Sequence, residues 1–268
     1  MNHSTGEIFE AAKPRPAAGE TRDVPGEPGA FFGIGVGPGP AGFLPVAALE
    51  ALRRARVIFL PRARSAEQSV ARQCLAGLDI PASKLREIEF EMDPDRTVLR
   101  EHYSALAQDI AGELLAGHDV AYLTIGDPMT FSTYGYTLAA LRECLPGATI
   151  RTFPGITSFA AAAAALGWPL GEGKERILVL PCPDDADSLR RDIETHDVVV
   201  LMKIGRRLPW VLGLLAEMGI AAQCALASRI GLPGEVLCAS VSDFDGPPHT
   251  GYLSTMLIRR RAREQRHV

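Results

Sequence analysis

The sequence predicts an α/β protein made of two α/β domains with a cleft between them, its sheets mostly parallel with an antiparallel C-terminal edge. Three observations predict this. Short apolar runs bounded by turn residues alternate with longer segments whose apolar residues recur every three or four positions, a β-α-β-α rhythm. The runs are continuously apolar, as parallel strands covered on both faces require. Near the C-terminus three further runs follow one another with little helix between them, the pattern of antiparallel neighbours.

Residues 1–29 hold four prolines, mixed charges and little aliphatic periodicity, so a disordered tail is expected. The fold is expected to begin with a strand at 30–36, a glycine-rich turn and a helix over 45–55. A strand at 57–60 and a helix over 65–78 follow, with Val70, Cys74 and Leu78 on one helical face. After a short strand at 88–90, Val98, Leu106, Ile110 and Leu114 mark a helix over 95–116, stopped at Gly117. It leads into a strand at 120–125.

The rhythm continues with helices over 134–144 and 158–166 around a strand at 148–153. Next come a strand at 177–180, a helix over 186–194, a strand at 198–202 and a helix over 208–218. Strands at 222–228, 235–239 and 252–258 close the chain. The expected domains are 30–135 and 136–260, with 261–268 a basic tail continuing Arg259-Arg260-Arg261. Six consecutive alanines at 160–165 suit a helix that packs closely against its neighbour.

Composition narrows the function. The 268 residues, 47% hydrophobic and 22% charged, suffice for two layered domains, and a net charge of −4 argues against a general nucleic-acid binder. No run is long enough for a membrane span and no signal pattern opens the chain, so a cytoplasmic protein without membrane association is expected. Five scattered cysteines, with no C-x-x-C pair, read as buried thiols of a reducing compartment. The histidines lack metal-ligand spacing, and no protein-bound metal is expected.

Gly37-Pro38-Gly39-Pro40-Ala41-Gly42 fits the dinucleotide pattern G-x-G-x-x-G. Two details oppose that use. Pro38, Pro40 and Pro45 remove amides that would meet a pyrophosphate, and the next strand ends in Leu60-Pro61-Arg62 instead of an acidic ribose ligand. No nucleophile constellation and no P-loop are spelled out.

Four segments at the ends of apolar runs stand in a fixed order: 33–39 (GIGVGPG), Gly126-Asp127-Pro128, 154–158 (PGITS) and 199–203 (VVLMK). Strand ends of this kind are where open α/β sheets place ligands. Each segment also has a plain structural reading. The glycines suit tight turns, Asp127 suits a turn cap, Thr157 or Ser158 suits a helix N-cap, and Met202 suits a core. Arg62, Arg64, Lys203, Arg206 and Arg207 line a cleft edge or form a solvated surface cluster.

Together and in this order, the four segments resemble the tetrapyrrole methyltransferases, whose members move a methyl group from S-adenosylmethionine (SAM) to a ring carbon. The resemblance spans about residues 31–260. It implies the tetrapyrrole methylase fold, a homodimer and an interdomain site. By matching positions it implies SAM contacts at Pro38, Ile125, Gly126, Asp127, Thr130, Thr157, Ser158 and Met202. Gly37, Gly39, Arg62, Arg64, Lys203 and Arg206 are implied on the substrate side, and the catalytic residues stay unnamed. The run 129–134 (MTFSTY) looks most like the branch acting at carbon 20 of precorrin-2 or cobalt-precorrin-2. The chain departs from the family at Pro40, where an aspartate is usual. A sibling acting on another ring carbon, a SAM-binding protein without turnover and an NADP-dependent oxidoreductase are the competing readings.

Overall fold

The computed structural model describes residues 26–64, 67–90 and 96–262. The expected disordered tail thus lies outside the described residues up to position 25, as does the basic tail from 263. A first sheet is built from β1 (Ala30–Gly35), β2 (Val57–Ala63), β3 (Leu85–Phe90), β4 (Val120–Thr124) and β5 (Thr149–Phe153), all parallel, in the order β3-β2-β4-β1-β5. Helices α1 (Val46–Arg54) and α2 (Val70–Gln73) cover one face, where Phe32, Ile34, Leu60 and Leu123 meet Leu52 and Ala71. Helices α3 (Arg96–Leu115) and α4 (Tyr134–Cys144) cover the other, over Phe31, Phe59 and Tyr122.

Gly33 seats α4. A Cβ there would lie 2.1 Å from the Tyr134 ring, which fills the space, stacks on Phe31 at 6.0 Å and shares a 2.7 Å hydroxyl hydrogen bond with Thr152 on β5. The ring thereby links α4 to three strand positions at once.

A second sheet follows from β6 (Ile177–Pro181), β7 (Val198–Met202), β8 (Ala225–Ser228), β9 (Val236–Cys238) and β10 (Ser254–Arg259), in the order β6-β7-β10-β8-β9. Helices α6 (Ala186–Thr195) and α7 (Leu208–Glu217) pack on one face and the alanine-rich α5 (Ser158–Leu166) on the other. In α5, Ala161 and Ala162 are buried against Ala225, Ala227 and Leu257, small side chains giving the close approach expected of them.

Several expectations are corrected. The boundary at 135/136 falls inside the first unit, because β5 pairs with β1 and α4 packs on α3; sheet membership changes after Phe153. In the second sheet only β6 and β7 are parallel, and the antiparallel part reaches the centre: β10 lies between β7 and β8, every residue buried. The helix expected over 65–78 contracts to α2. Ser69 anchors its start by donating to the Pro61 carbonyl at 2.6 Å, and Gly77, at φ +85°, turns the chain away soon after its end.

Arg259 is no solvated tail residue. It is buried on β10, paired with Glu175, bonded to the Pro169 carbonyl and stacked over Trp168 at 4.6 Å. Of the cysteines, Cys74, Cys182 and Cys224 are buried but Cys144 is exposed and Cys238 half-buried. No helix among the described residues is long and apolar enough to cross a membrane.

Gly33→Ala is expected to cost roughly 1–3 kcal/mol through the clash with Tyr134. Urea denaturation would register this as a lower midpoint at unchanged slope; an unmoved midpoint would mean that α4 shifts freely.

Candidate active site

The loops leaving β1, β4 and β5 meet backbone to backbone. Gly37 and Gly126 form a short antiparallel bridge, with Gly126 N donating to Gly37 O at 2.8 Å and Gly37 N returning a bond at 3.2 Å. A Cβ on Gly155 would sit 2.0 Å from the Gly126 carbonyl oxygen, and one on Gly35 would sit 2.5 Å from it. Only glycine permits this approach. Gly37 and Gly126 also have φ of +75° and +72°, values that side chains rarely adopt.

Asp127 ties the loops together. Its Oδ1 accepts from the Met129 amide at 2.9 Å and the Thr130 hydroxyl at 3.1 Å, while Oδ2 accepts from the Gly155 amide at 3.0 Å. The turn-capping reading of this aspartate therefore holds, and the same carboxylate borders the cavity described next.

A cavity of about 520 Å³ opens between the two sheets, walled by the ends of β4, β7 and β10 and by the start of α5. Pro38, Ile125, Gly126, Asp127, Thr130, Thr157, Ser158 and Met202 all lie on its wall, gathered from positions more than a hundred residues apart. Thr157 caps α5 by accepting from the Ala160 amide at 3.4 Å. Ser158 shares a 2.8 Å hydroxyl hydrogen bond with Thr255 on β10, joining the helix start to the strand. Met202 is half-buried against Ala161, Ala162 and Leu257 and borders the cavity, so its core and site readings coexist.

The substrate-side expectations fare differently. Lys203 is on the wall; Gly37, Gly39, Arg62, Arg64 and Arg206 are not. Arg62 is paired with Glu87 and Glu89, and Arg64 with Glu89, because β3 runs beside β2 and presents its carboxylates to them. Arg207 pairs with Asp184 instead of facing the cleft. Gly39 serves contact between the units: a Cβ there would lie 2.2 Å from the Ile230 carbonyl oxygen, and one on Gly231 would lie 2.1 Å from Pro40. Pro40, the position at which the sequence departs from the resemblance, thus packs against the second unit.

Sequence reasoning missed Thr124, Phe131, Arg229, Tyr252 and Leu253, all on the wall. Phe131, Lys203, Arg229 and Leu253 are the non-glycine residues with positive φ among the described residues, at 51° to 53°, and every one borders this cavity. A left-handed L-residue costs about 1–2 kcal/mol, and such strain concentrates where function holds it. The available signal was a charged or bulky residue directly after an apolar strand, as in Ser228-Arg229.

Titratable groups on the wall are few: Asp127, Lys203, Arg229 and Tyr252. The buried thiols lie elsewhere, and burial pushes Cys74 and Cys182 up to about 11 and Cys224 up to about 12, keeping them protonated at neutral pH. Thr124 is 4% exposed, lies on the wall and has a hydroxyl with no hydrogen-bond partner within the protein. That oxygen has no accessible surface, so the hydroxyl carries the cost of an unmade hydrogen bond in the ligand-free protein.

Comparison with known proteins agrees with this fold. The family described as Tetrapyrrole (Corrin/Porphyrin) Methylases matches residues 30–243. The cobalt-precorrin-2 C(20)-methyltransferase of Salmonella typhimurium is 27% identical over 232 residues, covering 87% of this chain and 97% of the relative. The probable enzyme of that name in Methanocaldococcus jannaschii is 32% identical over 172 residues, 64% of this chain and 71% of its own. The precorrin-2 C(20)-methyltransferase of a Sinorhizobium species is 29% identical over 86% of this chain and 95% of its own. Among solved structures, cobalt precorrin-4 methyltransferase shares the fold at a TM-score of 0.65 and 18% identity, over 86% of this chain and 94% of that one. The uroporphyrin-III C-methyltransferase of Thermus thermophilus, complexed with S-adenosylhomocysteine, does so at 0.59 and 19%, over 86% and 92%.

Thr124→Val, which removes the unpartnered hydroxyl at constant shape, is expected to stabilise the ligand-free protein by about 1 kcal/mol. A midpoint below that of the wild type in chemical denaturation would show that the hydroxyl is satisfied within the fold.

Proposed function

The chain belongs to the tetrapyrrole (corrin/porphyrin) methylases, and from that premise we propose that it transfers a methyl group from SAM to carbon 20 of precorrin-2 or cobalt-precorrin-2 in cobalamin synthesis. The observation that carries the reading is the single cavity on which all eight positions implied for the methyl donor converge.

The residues present suit SAM. The wall combines apolar surface from Pro38, Ile125 and Met202 with hydroxyl residues at Thr130, Thr157 and Ser158, the mixture an adenosine joined to an amino acid requires. In this reading Met202 packs against the adenine, and Thr157 and Ser158 offer hydroxyls beside the open amides of the α5 N-terminus. Asp127 holds the Gly126 and Gly155 loops in register and presents its remaining acceptor capacity to the ligand.

SAM supplies an electrophilic methyl group on a sulfonium, which passes in line to an electron-rich ring carbon as the S–C bond pair returns to sulfur. The protein's part is alignment of donor and ring and exclusion of water. This chemistry accords with a wall carrying few titratable groups. Any cobalt is held by the macrocycle's own nitrogens, so the reading needs no protein-bound metal. It includes a cytoplasmic homodimer, whose mass sedimentation equilibrium would report.

Anaerobic incubation with SAM and precorrin-2, with and without cobalt, is expected to add one methyl group by mass spectrometry, and the preferred form identifies the metal state. SAM binding without methyl gain on either form would sink the carbon-20 assignment in favour of a sibling substrate or a binding protein. Asp127→Ala is expected to weaken SAM binding roughly tenfold or more, in calorimetry, through the loosened loops and the lost acceptor. Equal affinity in variant and wild type would remove Asp127 from the site.

A further inference from the structure

Strand order places three strained residues in a row. Lys203 follows the last residue of β7, Arg229 follows the last residue of β8, and Leu253 precedes the first residue of β10. Because β10 is antiparallel to both neighbours, these three ends lie on one edge of the sheet, facing the cavity. Met202 stands opposite Thr255, Ser228 stands opposite Ser254, and the Arg229 amide donates to the Leu253 carbonyl at 3.0 Å. The Lys203 and Arg229 backbones are therefore two strand spacings apart, about 10 Å.

Neither cation has a salt bridge among the described residues, in contrast to Arg62, Arg64 and Arg207. The Arg229 Nε donates to the Pro233 carbonyl at 2.7 Å, which fixes the stem of the side chain while the terminal guanidinium nitrogens stay available. The carboxylate on the wall, Asp127, lies on the opposite unit with both oxygens already accepting hydrogen bonds. Glycine would adopt the backbone of Lys203 and Arg229 at no steric cost, yet a cation occupies each. Phe131 and Tyr252, 43% and 54% exposed, add apolar surface to the same cavity wall.

We propose that Lys203 and Arg229 form a paired cation site that grips two carboxylates of the tetrapyrrole and sets the orientation of its ring in the cleft. This rests on the reading above, in which the substrate is precorrin-2 or cobalt-precorrin-2, a tetrapyrrole that carries several carboxylate side chains. A planar guanidinium and a mobile ammonium meet carboxylates by charge-assisted hydrogen bonds, and a macrocycle with several carboxylate arms around its edge can engage both at once. The two are positioning groups, with the aromatic pair facing the flat ring.

The test uses the full chain and the variant Lys203→Gly/Arg229→Gly, glycine being chosen because it relieves the left-handed strain and so leaves folding intact. Two substrate-side readouts are taken: KM for precorrin-2, and the dissociation constant for uroporphyrin, a stable tetrapyrrole polycarboxylate, by fluorescence quenching. Both are expected to rise roughly tenfold or more, while SAM affinity in calorimetry stays at the wild-type value. Arg62→Gln, in the ion-paired cluster on the first sheet, is expected to change neither. Unchanged uroporphyrin binding and KM in the double variant would overturn the proposal. A loss of SAM affinity in their place would also overturn it, assigning the cations to the carboxylate of the methyl donor. A wild type that binds uroporphyrin through these residues but methylates no precorrin would sink the reaction and leave the cation site standing.

Discussion

The meeting of Gly35, Gly126 and Gly155 is the constraint on which the rest of the site depends. The Gly126 carbonyl oxygen stands where a Cβ on Gly35 or Gly155 would be, and Gly126 itself holds a φ of +72°. Side chains at the first two positions would therefore drive the loops after β1, β4 and β5 apart, and one at the third would be strained. Their contact brings the Gly37–Gly126 bridge and the Asp127–Gly155 hydrogen bond into being, and these fix where the chain enters α5. The start of α5 in turn binds β10 through Ser158 and Thr255. One backbone contact thus connects the first sheet to the middle of the second.

The cavity is the space left between the units once that connection is made. Phe43 from the first unit packs into the alanine-lined layer of the second, and Leu253 from the second packs into the α1-side core of the first. Exchange of single apolar residues across the gap holds the walls apart at a fixed distance without filling it. The cavity of about 520 Å³ is thus bordered by both units.

The same geometry disposes of the dinucleotide alternative. Gly37 is used for the bridge to Gly126 and Gly39 for contact with Ile230, so the first two glycines of the G-x-G-x-x-G spelling meet protein backbone. The loop then passes through a short 3₁₀ turn, Ala41–Phe43, before α1 begins behind Pro45, and no helix N-terminus opens directly onto the glycines.

Most elements were legible in the sequence because strand and helix formation follows local apolar period and turn chemistry: Tyr134–Cys144, Ser158–Leu166 and Val198–Met202 appear at their expected bounds. The eight positions that share the cavity wall were singled out through motif resemblance, since each lies at or soon after a strand end. Tertiary structure alone decided the rest. That β5 joins the first sheet, that β10 enters the centre of the second, and that Glu87 and Glu89 neutralise Arg62 and Arg64 all depend on which distant strands become neighbours. The left-handed setting of Arg229 beside Leu253 has the same origin. A local sequence pattern records which face of a strand is buried, but partner choice is settled by the packing of the whole chain.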